Sequence, residues 1–160
     1  MGHRLSIRTT RLQSGVAAIE FALIAALMAL MLLGIFVYWR ALQAQQSVTR
    51  AAGDGARIVQ SLIYGNLPGY DIRLSAGTDK LRLAAADVVK QSLKDSGVPG
   101  DTQLNTSVSL TTSNTQAQLT VSYQLPPLFG GASSGSGMLS EPTVLRSSAI
   151  VAYVLAGAKP

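Results

Sequence analysis

Residues 14–40 read SGVAAIEFALIAALMALMLLGIFVYWR, and everything else in the chain is interpreted from this stretch. Val16 to Trp39 is a 24-residue apolar run broken by one charge, Glu20. The 19 residues from Phe21 to Trp39 carry none. As a helix they span roughly 29 Å, about one hydrocarbon core. Tyr38 and Trp39 close the run as an interfacial aromatic belt, and Arg40 follows as a charged stop. Arg4, Arg8 and Arg11 precede it with no acid among them. This pattern predicts one transmembrane helix with a cytoplasmic N-terminus and the remainder outside. Two other readings compete. A buried helix of a soluble protein has the same composition. A secretory signal peptide needs an apolar core of only roughly 7–15 residues and a small-x-small site. This run is longer, and Leu42-Gln43-Ala44 is a poor site because Leu42 is not small.

Composition narrows the function. The chain has 160 residues, room for one domain or one domain plus an appendage. Charged residues are 13%, against roughly 25% in an average soluble chain, which favours a membrane segment over disorder. The absence of cysteine excludes disulfides, a thiol nucleophile and Cys-ligated zinc. One histidine, His3, argues against a His-based triad or a multi-His metal site. The net charge of +5 falls to +2 over residues 16–160, which hold ten basic and eight acidic residues. With no later basic run and no interleaved aromatics, a nucleic-acid partner is not expected.

Beyond the apolar run, Val37, Ala41, Ala44, Val48, Ala51, Gly55, Ile58 and Leu62 recur at spacings of four and three. This 3.5-residue stripe predicts that the helix continues to about residue 63. The stripe packs on the chain's own outer domain, on neighbouring subunits, or on both. Gly65 to Gly77 reads as a connection. A second helix is expected from Asp79 to about Ser96, with Thr78 as N-cap and Gly97 as stop. Leu81, Ala84, Ala85, Val88, Val89 and Ser92 form its apolar stripe. The period then changes to two. Leu104, Thr106, Val108 and Leu110, then Ala117, Leu119, Val121 and Tyr123, predict a hairpin turning at Thr112–Thr115. Gly130 to Gly137 is a Gly/Ser-rich loop, and Thr143 to Val154 a third strand. The expected class is α+β. The boundaries are a basic leader at 1–15, the transmembrane helix at 16–39, its extension at 40–64, and an outer α+β domain at 65–160.

Glu20 lies four residues into the apolar run. An isolated carboxylate in lipid is costly, so Glu20 either reaches water at the headgroups or has a partner. The surrounding order is a basic leader ending in Gly15, then Val16-Ala17-Ala18-Ile19-Glu20-Phe21-Ala22-Leu23, a hydrophobic helix, and Arg50-Ala51-Ala52-Gly53-Asp54-Gly55-Ala56-Arg57. That order resembles the TadE-like family, minor pilins or pseudopilins of tight-adherence (Flp-type) pili, over about residues 14–57. The resemblance implies cleavage by a prepilin peptidase between Gly15 and Val16, with removal of the leader. It gives Glu20 and Phe21 the role of assembly motif, with Glu20 meeting a neighbour's Val16 ammonium. The implied partners are the peptidase, other minor pilins, the Flp major pilin, the assembly platform and secretion machinery, and the lipid bilayer. The implied location is the bacterial inner membrane, single-pass, and the implied outcome is adhesion and biofilm formation. No cofactor is implied. The alternative is an uncleaved single-pass scaffold of an envelope secretion apparatus. An enzyme is not expected, because the outer acids, Asp54 through Glu141, show no catalytic spacing.

Overall fold

The computed structural model describes residues 11–65, 67–128 and 142–154. Arg4 and Arg8 of the leader and the Gly130–Gly137 loop lie outside the described residues. The elements are two helices, α1 (Arg11–Tyr64) and α2 (Ser75–Asp95), then three strands, β1 (Thr106–Thr112), β2 (Gln116–Gln124) and β3 (Val144–Ala152). The class is α+β, as expected. The chain divides into two units between Tyr38 and Trp39.

In the first unit, α1 presents most of its large apolar side chains outward. Val16, Ile19, Phe21, Leu23, Ile24 and Leu27 are all more than half exposed.

The second unit holds the core. Ala41, Ala44, Val48, Ala51, Ala52, Ala56 and Val59 of α1 pack there with Ala85, Val89 and Leu93 of α2 and with the inner face of the sheet. The stripe begins as the sequence predicts and then departs from it. Ile58 and Leu62 are only partly buried, while Val59 is fully buried and Ile63 packs against the core. The reason is geometric. A straight α-helix turns every 3.6 residues, so its inner face drifts by ~20° per heptad from a 3.5-residue stripe. The alanines let the helix approach its neighbours closely. At Gly55 even a Cβ would lie 2.7 Å from Val89 Cγ2 and 2.8 Å from Leu119 Cδ2.

α2 starts at Ser75, four residues before the predicted Asp79. Thr78 is not its cap. The Thr78 hydroxyl donates to the Ile72 and Leu74 carbonyls from inside the first turn. The N-cap is Leu74, which makes no side-chain cap bond. The turn before it is organised by Asp71, whose Oδ1 accepts from the Arg73 N–H and whose carbonyl accepts from the Leu74 N–H. Gly77, expected to end the connection, is instead buried in the helix. A Cβ there would collide with the Asp71 carbonyl oxygen. The other end matches expectation. Gly97 has φ +65°, its N–H donates to the Lys94 carbonyl, and Val98 N–H donates to Leu93. This is a Schellman cap, with buried Leu93 and Val98 as its hydrophobic pair.

The sheet is antiparallel in the order β1-β2-β3. Ala117, Leu119, Val121 and Tyr123 of β2 face the core, as the alternation predicts. Leu104 does not. It lies before β1 and is 84% exposed, in a turn where the Asp101 carboxylate accepts from the Gln103 and Leu104 N–H groups. The inner face starts instead at Thr106. In β3 the inward positions are Leu145, Ser147, Ala149 and Val151, and two small members explain why its alternation reads weakly.

Candidate functional site at Gly15–Phe21 and the Arg50–Arg57 segment

Gly15, Val16, Glu20 and Phe21 all lie in α1 and are all exposed. Among the described residues, no side chain lies within 4 Å of a Cβ built on Gly15, so none of them screens the Gly15–Val16 bond. Val16 is 59% exposed and Phe21 74%. Val16 and Glu20 are four residues apart, so both lie on one face of the helix. Phe21 sits one residue further, turned about 100° around the axis. No described residue forms a hydrogen bond or ion pair with the Glu20 carboxylate. Between Val16 and Phe36 the arrangement is one acidic group on an otherwise apolar stretch of helix whose large side chains are exposed. A contiguous apolar surface of this extent belongs against lipid or against another protein. By length and composition α1 is able to cross a membrane, which is compatible with single-pass anchoring.

The Arg50–Arg57 segment has a different environment. Ala51, Ala52, Gly55 and Ala56 are buried, while Arg50 and Arg57 are exposed. Asp54 is half-buried, and its Oδ2 accepts a 3.0 Å hydrogen bond from Ser92 Oγ on α2. A groove lined by Arg50, Asp54, Gln91, Ser92, Asp95 and Ser96 runs beside this bond. Spacing alone places Gly55 on the packed stripe, but it does not pair Asp54 with Ser92. Helical spacing assigns residues to a face, but it does not say which polar groups from two helices meet.

Close to the start of the second unit, Arg40 Nη2 donates to the Pro126 carbonyl at 2.9 Å. The predicted charged stop is therefore also a tie to the end of β2. Beside it, the Tyr123 hydroxyl donates to the Pro99 carbonyl at 2.7 Å. Burial holds the Tyr123 phenol above its ordinary value of 10.0, and the charge of Asp101 adds to that. The Asn105 side-chain hydrogen bond and the Arg40 charge pull the other way. At the opposite end of the sheet the Tyr153 hydroxyl donates to the Ser113 carbonyl, and burial raises that phenol too. Both tyrosines are structural clasps.

No curated protein and no solved structure matches this chain. A protein-family model does, over about a quarter of its length, and that quarter joins the uncovered apolar helix to the buried alanine-rich segment. Residues 15–57 match the family described as TadE-like protein, so this stretch bears out the resemblance read from Gly15 to Arg57 and links the chain to Tad pilus systems.

Proposed function

We propose that this protein is a minor pilin or pseudopilin. A prepilin peptidase cuts it between Gly15 and Val16, and it then takes part in assembling tight-adherence Flp-type pili, and so in adhesion and biofilm formation. The supporting observation is the TadE-like match beginning at Gly15, on an exposed apolar helix whose only charge between Val16 and Trp39 is Glu20. In this reading the protein sits in the bacterial inner membrane, N-terminus cytoplasmic and second unit outside. Gly15 gives the peptidase unobstructed backbone. Cleavage frees an ammonium at Val16. Glu20 of one subunit pairs with the Val16 ammonium of the next, alongside the Flp major pilin, other minor pilins and the assembly platform. Two charges about 4 Å apart attract far more strongly in an apolar setting than in water, and desolvation takes back much of that gain. The pairing therefore sets the docking register more than it adds stability.

Mass spectrometry of the N-terminus, from membranes and from sheared pili, tests the reading. The expected species begins at Val16. A chain beginning at Met1 in cells with active peptidase would overturn it and favour an uncleaved scaffold. Gly15→Trp should abolish processing without altering the fold, because among the described residues nothing lies within 4 Å of a Cβ at Gly15.

A further inference from the structure

The two edges of the sheet are treated differently. Leu125 N–H donates to the Thr143 carbonyl and Tyr153 N–H to Thr115, so odd-numbered residues of β3 turn their backbone groups toward β2. The even-numbered ones face outward, and α1 meets two of them. Gln45 Nε2 donates to the Arg146 carbonyl at 2.9 Å, and the Tyr64 hydroxyl to Ala152 at 3.3 Å.

At the other edge, Gln124 N–H donates to the Asn105 carbonyl and Ser113 N–H to Gln116. By the same alternation Thr106, Val108, Leu110 and Thr112 turn their backbone groups away from β2. No described residue bonds to these outward groups. β1 reads TSVSLTT, without charge, proline or lysine, the devices that normally protect an edge.

The strand is also self-complementary. Turned antiparallel about Ser109, it sets Val108 against Leu110, Ser107 against Thr111 and Thr106 against Thr112. Aliphatic meets aliphatic on the inner face, hydroxyl meets hydroxyl on the outer face, and no like charges are opposed.

We infer that β1 is the contact between two copies of this chain, pairing antiparallel about Ser109 and joining two three-stranded sheets into one. The outward groups of Val108 and Leu110 bond to each other across the two-fold. Ser109 faces its own copy at a non-hydrogen-bonded position, where Cα atoms lie about 4.5 Å apart, within disulfide reach. The inference does not depend on peptidase processing.

Because the chain has no cysteine, single substitutions report this geometry directly in the full-length protein in lipid vesicles. On mild oxidation Ser109→Cys should give covalent dimer at least ~10-fold faster than Ser107→Cys, whose copies lie four residues out of register. The Ser107→Cys/Thr111→Cys double variant should cross-link as Ser109→Cys does, which keeps the test intact if one variant folds poorly. Hydrogen exchange of the wild type should show slow amides at Val108 and Leu110, and Ser109→Lys should make them fast. Equal cross-linking at 107 and 109, or none at 109 and in the double variant, would overturn the inference. So would slow Val108 and Leu110 amides in Ser109→Lys, which would mean that another part of the chain covers the edge.

Discussion

Gly53 and Gly55 are neighbours on α1 with opposite surroundings. Among the described residues nothing lies within 4 Å of a Cβ at Gly53, whereas a Cβ at Gly55 would press on Val89 Cγ2 and Leu119 Cδ2. Gly53→Ala should therefore stabilise the second unit by about 0.5–1 kcal/mol, because alanine loses less backbone entropy on folding. Gly55→Val should destabilise it by about 1–3 kcal/mol, since stiff Val89 cannot swing aside and the helix must shift. Denaturant titration of both variants checks the sign. The sequence placed Gly55 on the packed face by spacing, but both residues are helical glycines in one short segment. Only their neighbours distinguish a required glycine from a replaceable one.

The elements were legible wherever their signals are local. The period change from helix to strand, the hairpin turn and the Gly97 stop are properties of a few adjacent residues, and they hold. The stop is a direct consequence of conformation. A left-handed residue penalises any Cβ, so Gly97→Ala should cost about 1–2 kcal/mol and fray the last turn of α2. Loss of helical circular dichroism at a lowered midpoint would show it. The start of α2 was not legible, because it lacks a side-chain cap. The Asp71 turn and the close fit of Gly77 against Asp71 define it, and such contacts leave no spacing in the sequence. Leu104 departs from its pattern for a related reason. It continues the alternation of β1, yet the Asp101 carboxylate captures the Gln103 and Leu104 N–H groups, and the strand starts only after it. Leu93, which lies outside the apolar stripe read from spacing, is fully buried in α2.

In the second unit, the two tyrosine clasps predict a response to alkali. Both phenols are raised above 10.0 by burial, so the folded form holds these protons more tightly than the unfolded form. Their contribution is fully present below pH 10 and is lost as pH rises through the folded values. Stability followed by thermal melting should be insensitive to these groups at neutral pH and fall above about pH 10. Tyr123→Phe and Tyr153→Phe should be less stable at neutral pH and should flatten the alkaline fall. A wild-type stability that rises with pH in that range would contradict this assignment.

The apolar run, its basic approach, the Gly15–Phe21 motif, the α+β class and the hairpin could all be derived from the chain as written. Each depends on hydropathy, charge order or a short period, which are properties of residues near one another in sequence. The drift of the α1 face to Val59, the Asp54–Ser92 bond, the tie from Arg40 to Pro126, and the contrast between a capped β3 edge and an open β1 edge required the folded arrangement. Each joins segments far apart in sequence, and the physics that selects them is close packing and hydrogen-bond satisfaction between surfaces that meet only after folding.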